Sequence, residues 1–188
     1  MGLPSMHCAP TPLEGVLVLS PKKFTDPRGF FSETYSQREL ARAGVLGGFV
    51  QDNHSKSVEK GVVRGLHFQL PPMAQNKLMR VVSGAILDVV VDIRRGSATF
   101  GKHVLTELSV ENWHQIYVPA GFAHGFVTLA PNTEVIYKVS NYYSPEHERG
   151  LLWNDPALGI DWGIDPSAAT LSERDRLHPA LKDLRELF

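Results

Sequence analysis

The sequence has a single cysteine, Cys8, among its 188 residues. No intramolecular disulfide and no cysteine-based zinc cluster can be built from it, and a reduced, cytoplasmic setting is the simplest expectation. An excess of one charge is missing too. The 19 basic residues face 20 acidic ones, for a formal net charge of -1. That balance argues against a strongly basic nucleic-acid binder and against a highly charged disordered chain. No stretch approaches the roughly 18 uninterrupted apolar residues of a membrane helix, and no apolar signal-peptide run opens the chain. Phosphate-binding loops of the G-x-x-x-x-G-K-[ST] type, a G-x-G-x-x-G after a strand and a G-x-S-x-G elbow are all lacking. ATPase, dinucleotide and serine-hydrolase readings therefore lose their main support.

What is present reads mostly as β-structure. Gly15–Leu19 and Gly29–Tyr35 read as strands, and a short helix follows over 36–43 with Ser36 as its N-cap. Strand follows strand from Phe49 to Val139, with Ser83-Gly84 as a tight turn. Ile86–Ile93 alternates with a period of two, placing Leu87, Val89, Val91 and Ile93 on one face and Ile86, Asp88, Val90 and Asp92 on the other. The tail reads as helical, with Ser172 as a cap and Leu181, Leu184 and Leu187 as an apolar stripe after Pro179. The expectation is one all-β domain, an antiparallel sandwich or barrel over 11–170, with a disordered segment 1–10 and a helical tail 171–188.

Four segments carry candidate chemistry. In Gln51–Ser57 the neutral amides and hydroxyls of Gln51, Asn53, Ser55 and Ser57 share one strand face, which suits a polar cavity wall; alone, the segment reads more simply as a wet edge strand. In Arg64–Gln69 a histidine stands near the cations Arg64 and Lys77, and buried cations need anions such as a phosphorylated substrate. Arg64 and His67 have opposite parity on a regular strand, so a bulge at Gly65 is needed to turn both inward. In Pro119–Phe126, His124 sits among glycines and phenylalanines, which reads equally as a ligand contact and as a satisfied core histidine. In Val135–Tyr143, Tyr137 shares the parity of Val135 and Val139 and points inward, either as core or as a protonated general acid. The eight histidines form no H-x-H or H-x-x-x-H pair, and Gln69 stands two residues after His67, where a β-barrel metal site often has a histidine.

An ordered set of motifs spans residues 24–179. It begins with Phe24-x-Asp26-x-Arg28-Gly29-Phe30-Phe31-x-Glu33 and Gln51-x-Asn53-x-Ser55-x-Ser57. It continues through Gly61–Gln69, Ala74-Gln75-x-Lys77-Leu78, Asp88–Arg94 and Gly96-Ser97-x-Thr99-Phe100-Gly101. It ends with Gly121–Phe126, Tyr137-Lys138, Asn154-Asp155-Pro156 and Leu171-Ser172-x-x-Asp175. The set resembles the dTDP-4-dehydrorhamnose 3,5-epimerase family. The resemblance implies a cupin-like jelly roll, usually a homodimer, with no metal and no cofactor. It implies a dTDP-4-keto-6-deoxyhexose substrate, with neither nucleic acid nor membrane as partner. His67 is then the proton acceptor, Asp175 its orienting carboxylate, Tyr137 the proton donor and Lys77 the stabiliser of the enolate oxygen. Arg28, Gln51, Asn53, Arg64, His124, Tyr143, Glu148 and Arg174 fall at substrate-contact positions, and Arg28 and Glu33 belong to a strand that crosses to the other subunit in related proteins. Position 174 is Arg where many relatives carry Lys, which alters that contact's geometry.

The implied chemistry is coherent. A C4 ketone acidifies the hydrogens at both C3 and C5, and either enolate places its charge on the same oxygen, so one cation serves both inversions. The nearest alternative is a single-position epimerase of a related sugar. A metal-dependent cupin and a non-catalytic sugar-nucleotide-binding barrel are alternatives from other classes.

Overall fold

The computed structural model describes residues 5–45 and 47–188. Thirteen strands are formed: β1 (Met6–Pro10), β2 (Leu17–Pro21), β3 (Phe24–Asp26), β4 (Gly29–Phe31), β5 (Gln51–Ser57), β6 (Val63–Gln69), β7 (Lys77–Ser83), β8 (Ala85–Asp92), β9 (His103–Ser109), β10 (Gln115–Val118), β11 (Phe122–Thr128), β12 (Thr133–Val139) and β13 (Glu148–Gly150). Two short helices, α1 (Gln37–Arg42) and α2 (Glu173–Arg176), are added. The strands build a six-stranded sheet in the order β1-β2-β10-β7-β12-β5 and a five-stranded sheet in the order β13-β6-β11-β8-β9. The pairings within both are antiparallel, which gives the cupin-like sandwich. β3 and β4 form a separate hairpin.

Alternation along β8 shows how the layers are filled. Val89, Val91 and Ile93 face outward into a core with Leu66, Phe68, Trp153 and Trp162. Ile86 and Val90 face inward, between the sheets, with Met79, Ile116, Phe122 and Val135. A third cluster under α1 joins Met6, Leu19, Leu40, Val45 and Tyr117. Both faces of β8 are therefore buried, and its two charged residues need partners: Asp92 has Arg94, Ser97 and Thr99, and Asp88 meets a histidine of β11.

Two expectations are corrected. Within 1–10, residues 1–4 lie outside the described residues, but Met6–Pro10 is ordered as β1, paired along its whole length with β2. Burial of Met6 against Leu19 and Leu40 supplies the apolar contact that holds it. The tail is not a helix over 171–188. Only α2 and a 3-10 turn at Leu181–Asp183 are helical. The tail's backbone bonds go to the body instead: Leu181 N–H donates to Asp155 Oδ2, Leu152 N–H to the Pro179 carbonyl and Arg95 N–H to the Phe188 carbonyl. Leu181, Leu184 and Leu187 do pack on the outer core, as an extended strap.

Candidate active site

The open end of the sandwich encloses a cavity of two lobes, about 490 Å³ and 290 Å³, which share His67, Lys77 and Tyr137 in their walls. The six-stranded sheet contributes Gln51, Asn53 and Ser55 from β5, Lys77 and Met79 from β7, and Tyr137 from β12. The five-stranded sheet contributes Arg64 and His67 from β6, His124 and Phe126 from β11, and Glu148 from β13. The strap closes one side with Ser172, Arg174 and Asp175.

A bulge turns Arg64 and His67 the same way. His124 pairs with His67 and Phe126 with Arg64, so Gly65 and Leu66 together oppose Gly125 alone. Gly65 takes φ of +125°, and a Cβ there would stand 2.6 Å from Gly125 Cα. The glycine beside His124 therefore serves the close approach of β6 as well as the cavity wall.

His67 Nε2 lies 2.6 Å from Asp175 Oδ1. Ser172 fixes Asp175 from below, its Oγ accepting the Asp175 N–H at 3.1 Å as the N-cap of α2. Burial alone would raise the Asp175 carboxyl, but the adjacent His178, the hydrogen-bonded His67 and the Ser172 cap outweigh it and hold the group well below the usual carboxylate range. With Nε2–H donated to this carboxylate, the basic lone pair of His67 is on Nδ1.

Lys77 Nζ donates to the backbone carbonyl of His67 at 3.3 Å. Part of its surface opens to the cavity, but protein encloses it, and that burial lowers its ammonium to about 8 against the opposing pull of Glu148 and Asp88. Tyr137 is pushed above its ordinary value by burial, so its hydroxyl stays protonated. His124 Nε2 meets Asp88 Oδ2 at 2.8 Å, both groups fully enclosed, while Asp88 Oδ1 has no protein partner. Burial would raise Glu148, but hydrogen bonds from Tyr143 (2.6 Å) and Arg174 hold it low. Gln51 donates to Asn53 at 2.9 Å, and Arg64 donates to Ser57 Oγ at 3.2 Å and to the Lys56 carbonyl.

Eleven of the thirteen site residues expected from the sequence are thus at this cavity, counting the strap residues and excluding Arg28 and Glu33. Those two lie elsewhere on the single chain. Arg28 is exposed at the tip of the β3–β4 hairpin, bound to Asp26, and Glu33 lines a separate recess with Arg80 and Lys138.

Among the described residues one group, His67, Asp175 and His178, brings three potential metal-ligand atoms within 4.8 Å of one another. Two ligands of a tetrahedral zinc stand about 3.3 Å apart. The 2.6 Å between His67 Nε2 and Asp175 Oδ1 is instead the length of a short, charge-assisted hydrogen bond.

Comparison with known proteins decides the family. The family model described as dTDP-4-dehydrorhamnose 3,5-epimerase matches residues 10–183. The chain belongs to the dTDP-4-dehydrorhamnose 3,5-epimerase family. A relative of that name from Sinorhizobium fredii is 50% identical over 188 residues, covering 99% of this chain and 95% of its own. The crystal structure of the epimerase from Elizabethkingia anophelis superposes with a TM-score of 0.92 at 45% identity, covering 97% of this chain and 100% of that one. The dTDP-6-deoxy-D-glucose-3,5-epimerase of Legionella pneumophila, solved in complex with dTDP-4-keto-L-rhamnose, gives 0.90 at 40% identity over 95% and 94% of the two chains.

Within this family member, sequence reading passed over three residues. Asp88 was placed on one strand face with Ile86, Val90 and Asp92 but not matched to His124; a charge flanked by apolar residues in a strand was the available signal. Gln69 is buried and ties two loops, donating to the Met73 and Tyr142 carbonyls and accepting from Ser144 N–H. His178 was not singled out; its spacing of three residues from Asp175 was the one local signal, and its other neighbours come from β6 and β13.

Proposed function

We propose that this protein inverts C3 and C5 of dTDP-4-dehydro-6-deoxy-D-glucose to give dTDP-4-dehydro-L-rhamnose, a precursor of rhamnose in cell-surface polysaccharide. The observation that carries the reading is the shared wall of the two lobes: a carboxylate-bound His67 from one sheet faces Tyr137 from the other, with the Lys77 ammonium beside His67. His67 removes the proton alpha to the C4 ketone, and Asp175 stabilises the imidazolium that forms. The Lys77 ammonium is aimed at the enolate oxygen. Tyr137 returns a proton from the opposite side, which inverts the carbon. Because C3 and C5 flank the same ketone, one set of groups serves both after the ring shifts.

Substrate contacts follow from the lining. Arg64, Arg174 and His124 bind the diphosphate-bearing part by charge-assisted hydrogen bonds, and Gln51, Asn53, Tyr143 and Glu148 supply neutral and ionic contacts in the smaller lobe. Arg28 and Glu33 act in the site of a second copy, the β3–β4 segment crossing between subunits of a cytoplasmic homodimer.

Borohydride reduction of the reaction mixture followed by sugar analysis tests the reading. Rhamnose and 6-deoxytalose are expected. Recovery of only 6-deoxyglucose and fucose contradicts it, and 6-deoxyallose with 6-deoxygulose marks inversion at C3 alone.

A further inference from the structure

Asp175 has a second histidine. His178 comes just after the C-cap of α2, Leu177, and brings its Nε2 to 3.4 Å from Asp175 Oδ1, the same oxygen that engages His67 at 2.6 Å. The His178 side chain is only 10% exposed, and its Nε2 is buried with no formed hydrogen bond. A buried ring nitrogen in that condition is costly unless a neighbour uses it. The one carboxylate within reach is that of the His67–Asp175 pair.

The ring's place is built into the fold. Gly150 on β13 stands opposite His67 on β6, and a Cβ on Gly150 would collide with the His178 imidazole. The ring therefore lies flat over bare backbone that only glycine leaves open. Its edge meets the His67 ring, the centroids 5.5 Å apart and the planes at 81°. Leu152 N–H donates to the carbonyl of Pro179 at 2.8 Å, which pins the chain directly after His178. Neither a solvent-facing histidine nor one free to turn fits these contacts.

We propose that His178 is a positioning residue that donates its Nε2–H to Asp175 and so limits how strongly that carboxylate holds the proton on His67. The inference rests on the reading of His67 as the base. An Nδ1–H tautomer of His178 would aim a lone pair at the carboxylate, which the electrostatics forbid; the Nε2–H tautomer aims a donor. One carboxylate oxygen then serves two donors. Each added donor draws on the same charge, so less of it stabilises the His67 imidazolium and the base releases its proton more readily. The distance is long for a formed bond, as catalytic hydrogen bonds often are before substrate closes the site. The other charged groups near the pair are Glu148 on β13, Arg174 on α2 bound to Glu148, and Lys77 on β7. None of them reaches Asp175 Oδ1 among the hydrogen bonds formed.

A matched pair of amides tests this. Gln at 178 places an amide nitrogen near the position of Nε2, whereas Asn places it short, and neither overfills the space above Gly150. In His178→Asn the acid limb of the kcat/KM profile is expected to move up by about half a unit or more, and in His178→Gln it stays at the wild-type position. Identical profiles for the two variants, moved or unmoved, overturn the proposal. A measurement on the unmodified protein stands beside it: nitrogen-15 NMR of the imidazoles reports the tautomer directly. A protonated Nε2 at His178 is expected at neutral pH, and a protonated Nδ1 with bare Nε2 overturns the proposal whether or not the protein turns over this substrate. A wild-type protein that leaves the sugar unchanged would instead contradict the epimerase reading.

Discussion

At the scale of single residues, the site separates its acid and its cation by burial. Enclosure raises Tyr137 above the ordinary phenol value and lowers Lys77 to about 8, so on the alkaline side the ammonium loses its proton first. The enolate oxygen is then left without its counter-charge. kcat/KM is expected to decline above about pH 8, and a pH profile checks this. Replacing Lys77 with Met is expected to cost roughly 100- to 1,000-fold in kcat with little change in KM, the usual loss for a group that acts on developing charge. A large rise in KM with kcat intact would instead make Lys77 a binding residue. Asp88 belongs to the same balance, since its charge supports the protonated Lys77 while its other oxygen holds His124. Asp88→Asn is accordingly expected to move the alkaline limb downward.

At the scale of elements, the catalytic wall depends on one irregular strand. Regular alternation along β6 would send Arg64 and His67 to opposite faces, and the extra residue opposite Gly125 brings both into the cavity. Gly65→Ala would press a methyl against Gly125 Cα at 2.6 Å and the His124 carbonyl at 2.9 Å, both backbone atoms that cannot move aside. A loss of about 2–4 kcal/mol is expected from such overpacking at a strained φ, read as a lowered denaturant midpoint with activity falling alongside. Unchanged stability would mean that the strand relaxes there. The need for this bulge was legible in the parity of the two residues, as was the inward side of Tyr137; alternation divided β5 and β8 into two faces without saying which one the cavity or the core takes. The tail was not. Its leucines recur every third residue, which fits a helical stripe, yet the hydrogen bonds that decide its form run to Asp155, Leu152 and Arg95, far away in the sequence. Remoteness also hid the setting of His178: Asp175 is three residues away, but Gly150 and His67, which fix the ring, come from distant strands.

At the scale of the whole molecule, the β3–β4 hairpin stands apart from both sheets with Phe24, Phe30 and Phe31 exposed and Arg28 at its tip. Exposed aromatic rings clustered on a projecting hairpin suit a subunit contact. If Arg28 serves a second copy's cavity, Arg28→Ala and His67→Ala should each be inactive alone and complement when mixed after co-refolding. Random pairing then restores about a quarter of the sites, because half the dimers are mixed and each has one intact site. Assayed activity that stays at the level of the separate variants would place Arg28 in its own chain's business.

The central claim is that His67 and Tyr137 act on opposite faces of one sugar. Proton NMR of dTDP-4-keto-6-deoxyglucose in D2O, with the wild-type protein and the His67→Ala and Tyr137→Phe variants side by side, tests it most directly. The wild type is expected to place deuterium at both C3 and C5 with inversion, His67→Ala to exchange neither, and Tyr137→Phe to exchange while releasing little inverted product. Exchange that survives the loss of His67, or full inversion without the Tyr137 hydroxyl, would contradict the account.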